Sequence, residues 1–357
     1  MTAFAAARLS VPVRVLADAE SGTGRPLAGV TVADWTDDAV LRDWAAGCDV
    51  VTVESEWAPA DRLLRAAPDV ALRPGVPALV AIRHKGRQRA HLAQAGLPQP
   101  DHVRAATREQ AREAVERFGK AVLKQYEGSY DGYGNATCET PAEVDAAWAH
   151  LAADDGLLVE AFVPFEAEAA VTVARRADGA AVVYPAVRSE HRDHRLWAAT
   201  VPAGFSDATE TAARRVALAT VDALDVTGVA TVELFVRPDG TVLVNEVAPR
   251  PHNTAHLTID ASHTSQFENH VRAVLGLPLG ETGLRVPAAC MVNVLGAREG
   301  EALPHLHDAL AVPGASVHLY GKDDVRPQRK MGHVTVTAAV PDLARSRAEA
   351  AAAAVRL

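Results

Sequence analysis

The sequence predicts an α/β protein of two or three packed units, and three observations carry that expectation. The chain has 357 residues, more than one hydrophobic core normally organises. Its beginning alternates strand-like and helix-like stretches, the pattern of a parallel sheet. From Val286 it returns to strand-rich character. Hydrophobic residues make up 48% and charged residues 23% of the chain, ordinary shares for a globular protein. A formal net charge of −9 argues against a general nucleic-acid binder, while local basic clusters remain able to take small anions. Cys48, Cys138 and Cys290 are scattered without metal-ligand spacing, which suits a reducing cytoplasm. No run approaches the ~18 apolar residues of a membrane helix. Arg8 interrupts the apolar N-terminus and no cleavage-site pattern follows it, so the expectation is a cytoplasmic protein without a signal peptide.

Taken in order, Thr2–Leu9 is a short Ala-rich helix candidate. Val11–Leu16, Val30–Asp34 and Val50–Glu54 are strands, with a helix over Asp37–Ala46. The opening strand and turn that normally begin a doubly wound unit are missing from this pattern. Glu54 and Glu56 lie where the carboxyl end of a parallel strand faces a ligand. Leu97-Pro98-Gln99-Pro100 reads as a stiff linker. Thr107-x-x-Gln110 then caps a helix with an apolar stripe of Ala111, Val115 and Phe118 and a stop at Gly119. Ala121–Gln125 is a strand carrying Lys124; a glycine-rich loop over 128–134, a strand, and a helix over Pro141–Leu151 follow. Leu157–Val163, Ala169–Ala174 and Ala180–Val187 are strands, and Ala208–Leu224 is a long helix. Thr231–Val236 and Thr241–Val247 are β-branched strands joined by Arg237-Pro238-Asp239-Gly240, with Pro and Gly at the second and fourth positions of a type I turn. Ser265-x-x-Glu268 caps a further helix with Phe267, Val271 and Val274 facing inward and Gly276 ending it. An Ala-rich helix from Asp342 closes the chain.

The hairpin over 231–247 carries the chemistry. With the four turn residues as its loop, Val236 pairs with Thr241 and Glu233 with Val244. Glu233 and Glu246 then share a face as diagonal neighbours roughly 7–8 Å apart, and Asn245 points to the other face. Two carboxylates so placed grip a hard divalent ion carrying phosphate oxygens. Arg250, His252 and Asn253 follow as donors in a Pro-stiffened exit loop. A solvated hairpin with exposed glutamates is the competing reading. The glycine loop lets backbone N–H groups reach phosphate oxygens. It lies between strands and is not a Walker A sequence, so a tight turn alone stays open as its alternative. Lys124 adds a point charge for a phosphate. Glu160, Phe162 and Val163 read as an adenine-binding connector, with Glu168 placed for ribose hydroxyls. Each of these taken singly also reads as ordinary surface.

In that order, a lysine, a glycine loop, a Glu-x-x-Val connector with a following glutamate, and a strand ending Asn-Glu resemble the layout of ATP-grasp ligases. The run Asn245-Glu246-Val247-Ala248-Pro249-Arg250-Pro251-His252-Asn253, with Thr258-Ile259-Asp260 and Thr264–Glu268, resembles the 5-(carboxyamino)imidazole ribonucleotide synthases of purine biosynthesis. So do Tyr130-Asp131-Gly132, His318–Lys322 and Arg326–His333, and the likeness covers essentially the whole chain. It implies a Rossmann-like N-terminal domain over 1–97, an ATP-grasp domain over 98–280 and a small strand-rich C-terminal domain over 281–357 that completes the active site. It implies ATP and Mg²⁺ as cofactors, 5-aminoimidazole ribonucleotide and bicarbonate as substrates, and a homodimer. ATP would convert bicarbonate to carboxyphosphate, which delivers its carbon to the exocyclic amine of the ribonucleotide. Arg250, His252 and Lys330 would be catalytic, and Glu233 and Glu246 would hold the metal. Lys85, Lys124, Ser129, Tyr130, Asp131, Gly132, Tyr133, Gly134, Asn135, Glu160, Ala161, Phe162, Val163, Glu168, His191, Asn245 and Glu246 would bind ATP. Glu56, Tyr130, Asn253, Arg326, Arg329 and Lys330 would meet the ribonucleotide or the anionic intermediate.

The sequence also departs from that family. The family opens with a strand and a glycine-rich turn ending Gly-Arg-Met, and Met1 falls at that Met. Either the start is placed too late or the first strand is absent; for the chain as given the expectation is an incomplete first sheet, with Mg-ATP bound and the ribonucleotide handled poorly. Lys85 stands where the family has Arg; Tyr126, Glu127 and Tyr133 replace basic residues, and Ser129 replaces a glycine. Two alternatives stay in play: a ligase of the same superfamily with a different amine or acid, and an inactive nucleotide-binding remnant.

Overall fold

The computed structural model describes residues 1–17, 27, 29–128, 134–151, 155–302 and 304–357. The N-terminal region runs α1 (Thr2–Arg8), β1 (Arg14–Ala17), β2 (Gly29–Val32), α2 (Asp38–Ala45), β3 (Val50–Thr52), α3 (Ala60–Ala66), β4 (Ala71–Arg73), α4 (Val76–Arg83) and α5 (Lys85–Gln94). Asp37 starts α2 by accepting bonds from the N–H groups of Ala39 and Val40. The parallel pairing expected from the alternation is present, β1 with β2 and β3 with β4. The two pairs are not hydrogen-bonded into one sheet among the described residues. A cavity of about 540 Å³ opens beside them, lined by Val15 and Leu16 from one pair and Val51 and Thr52 from the other. Helix α1 packs elsewhere: Ala5 and Ala6 bury against Phe267 and Val271.

The next layer is a small antiparallel sheet in the order β5 (His102–Ala105), β8 (Leu157–Ala161), β6 (Ala121–Lys124), β7 (Asn135–Cys138). It is covered by α6 (Arg108–Phe118) and α7 (Val144–His150), with Val115, Trp148 and Leu123 in its core. Thr107 caps α6 and Gly119, at φ +74°, ends it, as the local sequence demands. The reciprocal half of the cap differs, because the Gln110 side chain accepts from Ala106 N–H rather than from Thr107.

The largest sheet is antiparallel and nine-stranded. It comprises β9 (Ala167–Arg175), β10 (Ala181–Val183), β11 (Val187–Arg192), β12 (Arg195–Val201), β13 (Gly228–Val236), β14 (Val242–Ala248), β15 (Ala288–Leu295), β17 (Ala315–Leu319) and β19 (Lys330–Ala338). Its main path is β14-β13-β9-β11-β12-β15-β19-β17, and β10 pairs with β9. The antiparallel pairing of β12 with β15 carries the sheet across residue 280, so the C-terminal strands extend the central sheet. Helix α8 (Asp207–Ala223) covers one face through Ala213, Val216 and Val221, and Ile82 and Leu92 of α4 and α5 join the same core. Helices α9 (Thr258–Ala261) and α10 (Gln266–Val274) follow the hairpin, and Ser265 caps α10. The small pair β16 (Gly300–Glu301) and β18 (Asp324–Val325), with α11 (His307–Leu310), precede α12 (Pro341–Ala354), whose alanines pack on β15 and β19. The strand expected over Ala180–Val187 holds only as β10, and β11 and β12 were not legible. Asp193 and His194, at φ +48° and +63°, turn the chain between β11 and β12 without the glycine that usually marks a two-residue hairpin.

The β13–β14 register corrects the expected one. The 237–240 turn forms, with Gly240 N–H donating to Arg237 O, but Arg237 N–H bonds Thr241 O and Val236 pairs with Val242. Gly240 sits at φ +80°, so the loop holds three residues with a left-handed last position. Unbroken, that register would set Glu233 against Asn245. A bulge intervenes instead: Leu234 pairs with Val244 and Glu233 with Glu246, leaving Asn245 as the extra residue. Glu233 and Glu246 are therefore directly opposed rather than diagonal.

Candidate active site

The bulge decides what β14 presents. A regular strand would send Asn245 and Glu246 to opposite faces; here both line one cleft of about 1,140 Å³ together with Glu233. The walls come from every layer: Glu56 and Trp57 after β3, Lys124 and Asn135 from the small sheet, Glu168 and His191 from the large one, Arg250, His252 and Asn253 from the exit loop, and Lys330 at the start of β19. Glu233, its side chain 26% exposed, sits opposite a second carboxylate, the 45%-exposed Glu246. Burial first, and Glu246 second, push its carboxyl up to about 7. Burial also acts on Glu246, but Lys85 Nζ, 2.9 Å from Oε1, outweighs it and holds Glu246 below the usual carboxylate range. Near neutrality Glu246 is thus ionised while Glu233 is in the middle of its titration, a donor set that a divalent cation would neutralise.

Histidines flank this pair in two states. His252 Nε2 is 3.4 Å from Glu233 Oε1, while its Nδ1 accepts from Thr254 N–H and meets Thr254 Oγ1 at 2.9 Å. Burial and then Arg250 push His252 well below its ordinary value, so it is neutral with its proton assigned to Nε2. His191 Nδ1 lies 2.8 Å from Glu168 Oε2. Burial alone would lower His191, but the bond and charge of Glu168 raise it. Arg250 is gripped by Glu56 through two bonds, at 2.5 and 3.0 Å. Lys124, buried, is lowered by its desolvation although Glu160 Oε2 stands 2.7 Å away. Glu160 itself is held far below its usual value, because Arg89 and Lys124 overcome its burial.

Among the described residues, three buried polar atoms in the cleft have no partner: Oδ1 and Nδ2 of Asn253 and Oδ1 of Asn135. Buried orphan groups cost about 1–3 kcal/mol each unless a water or a ligand satisfies them. An apolar wall completes the cleft: Phe162 and Phe165 are 41% and 42% exposed, and Phe165 stacks on Phe235 at 5.0 Å.

The description "ATP-grasp domain" matches residues 90–267, and "Phosphoribosylaminoimidazole carboxylase C-terminal domain" matches residues 289–347. The N5-carboxyaminoimidazole ribonucleotide synthase of Mycobacterium tuberculosis is 39% identical over 343 residues, covering 94% of this chain and 80% of that protein. The chain belongs to the N5-carboxyaminoimidazole ribonucleotide synthase family. It accordingly carries an ATP-grasp domain. The phosphoribosylaminoimidazole carboxylase of Schizosaccharomyces pombe is 36% identical over 351 residues, covering 96% of this chain and 63% of that protein. The chain thus spans about three fifths of the length of that relative. Among solved structures, the synthetase of Thermus thermophilus superposes with a TM-score of 0.88 at 34% identity, covering 97% of this chain and 93% of that one. The Aspergillus clavatus synthase in complex with ADP and 5-aminoimidazole ribonucleotide gives 0.88 at 31% identity, covering 97% and 92%.

Within this synthase-family chain the expected site residues fall into three groups. Glu56, Lys124, Asn135, Glu160, Ala161, Phe162, Val163, Glu168, His191, Glu233, Asn245, Glu246, Arg250, His252, Asn253 and Lys330 line one cleft, and Lys85 reaches it through Glu246. Ser129, Tyr130, Asp131, Gly132 and Tyr133 lie outside the described residues, and Gly134 borders them. Arg326 and Arg329 do not line the cleft: Arg326 is paired with Asp324, and Arg329 donates to the Asp324 carbonyl from an exposed turn. The replacements at Tyr126 and Glu127 have structural partners. Tyr126 stacks on His84 and donates to Leu157 O, and Glu127 pairs with Arg83. Sequence reasoning missed Arg89, Trp57, Phe165 and Phe235. Phe235 was accessible to it, since it stands two residues beyond Glu233 and so shares its face.

Proposed function

We propose that this chain joins bicarbonate to the exocyclic amine of 5-aminoimidazole ribonucleotide, using ATP, to form 5-carboxyaminoimidazole ribonucleotide for purine synthesis. A bicarbonate oxygen attacks the γ-phosphorus and ADP leaves; the amine nitrogen then attacks the carbon of carboxyphosphate, phosphate leaves, and the amine loses a proton. The observation that carries this reading is the convergence of the Glu233–Glu246 pair, Arg250 and the unpaired Asn253 amide on one cleft of a synthase-family fold.

In that reading Glu233 and Glu246 would hold Mg²⁺, which would supply charge neutralisation for the transferring phosphoryl group. Lys124 and Lys85 meet phosphate oxygens, and Phe162, Phe165 and Phe235 cover the adenine. Arg250 and Lys330 hold the anionic carboxyphosphate, with His252 donating from Nε2. Glu56 and Asn253 orient the ribonucleotide. Residues 1–97, 98–280 and 281–357 are the corresponding units, in a cytoplasmic homodimer. Among the described residues no helix is long and apolar enough to cross a membrane.

Phosphate release measured with each substrate omitted tests the reading. Turnover should require the ribonucleotide and bicarbonate together. Equal turnover with formate in place of bicarbonate would transfer the chain to a different acid, and turnover indifferent to the ribonucleotide would transfer it to a different amine.

A further inference from the structure

Arg89 is buried to 2% exposure on α5, and its three guanidinium nitrogens are all engaged. Nε donates to Glu160 Oε1 at 2.5 Å, Nη1 to Val244 O at 2.9 Å and Nη2 to Asn245 O at 2.8 Å. Successive carbonyls of a regular strand point to opposite edges, so one planar fork can bond both only where the strand bulges. Strand β14 lies at the end of the large sheet, and this outer edge is otherwise held by Val244 N–H donating to Pro98 O at 2.8 Å. One turn earlier on α5, Lys85 holds Glu246. Through its second oxygen Glu160 holds Lys124, whose Nζ is 3.4 Å from Asn245 Oδ1.

Resting on the function proposed above, we propose that Arg89 is a positioning residue. It fixes the bulge at Asn245, and so sets the Glu246 carboxylate opposite Glu233 and at a constant separation from Lys124. Burying a guanidinium is expensive and is repaid only by complete bonding of its fork. Lysine at this position keeps the charge and the Glu160 partner but has no rigid fork for two carbonyls.

The test uses the full chain carrying Arg89→Lys, and a double variant, Arg89→Met with Glu160→Gln, which removes both members of the buried pair. Calorimetry of a non-hydrolysable ATP analogue across Mg²⁺ concentrations gives the metal requirement, circular dichroism the fold, and phosphate release the kinetics. In Arg89→Lys the Mg²⁺ concentration for half-saturation should rise about tenfold or more, the range for loss of groups that orient metal ligands. Turnover should fall with it, while KM for the ribonucleotide stays within about threefold. A folded variant with a lower melting temperature and an unchanged Mg²⁺ requirement overturns the proposal. If Arg89→Lys does not fold, the double variant is read by the same criterion. Failure of both to fold also counts against it, since Arg89 would then serve the fold as a whole. Native protein without ribonucleotide-dependent turnover would sink the function above, whereas the calorimetric Mg²⁺ requirement would still judge Arg89.

Discussion

Arg250 and Glu56 hold one another through two parallel bonds although 194 residues separate them. The pair brings the loop after β3 against the exit of β14 and leaves the guanidinium facing the cleft. Arg250→Ala should lower bicarbonate-dependent turnover by about 10²-fold or more, the usual loss for a fixed donor to a developing anion. Arg250→Lys should recover only part of it, because an ammonium cannot meet a carboxylate with two parallel bonds. Steady-state phosphate release checks both variants, and near-native turnover in Arg250→Ala would remove it from the chemistry.

Glu233 gives the site a pH dependence with a definite sign. Its carboxyl is pushed up to about 7, so protons compete with a cation below that pH. Apparent Mg²⁺ affinity should fall by about tenfold per pH unit below 7 and level off above it. For stability, a carboxyl raised in the folded state favours the native protein at low pH, and that contribution is lost as pH rises through about 7. Glu233→Gln without metal should therefore be more stable than the native protein at pH 8, by ~1–3 kcal/mol, and no more stable near pH 4. Denaturant unfolding at the two pH values checks this.

Asn253 carries two buried, unpartnered polar atoms. Asn253→Ala removes that penalty, so the melting temperature should hold or rise by a few degrees. KM for the ribonucleotide should increase about tenfold, the worth of one hydrogen bond of ~1.4 kcal/mol. A variant that loses stability and keeps its KM would make Asn253 a structural residue.

Lys330 opens β19 at the rim of the cleft, and its carbonyl accepts from Lys322 Nζ at 2.6 Å. That backbone bond survives side-chain truncation. Lys330→Ala should thus keep its melting temperature within a few degrees while losing about 10²-fold in bicarbonate-dependent turnover.

Local signals made much of the molecule legible. Thr107, Ser265, Gly119 and Gly276 bound their helices because a cap is settled within four residues of chain. The carboxylates and donors of the cleft were found because strands and turns carry them in a recognisable order. The hairpin register was not legible. The turn residues fit a four-residue loop and a three-residue loop with a left-handed glycine equally well, and the bulge that restores Glu233 to Glu246 leaves no local trace.

By itself the sequence determined the α/β class, the type of those elements that carry a cap or a β-branched run, the family resemblance and the identity of the polar groups. All of these follow from residue type and spacing along a few turns of chain. Only the tertiary structure decided that Asn245 and Glu246 face the same way, that Lys85 neutralises Glu246, that Arg250 pairs with Glu56 and that Arg89 closes the edge of β14. Each of those depends on which distant carbonyl or carboxylate arrives beside a given donor. That is set by packing α4, α5 and α8 on one face of the large sheet, a choice no single segment records.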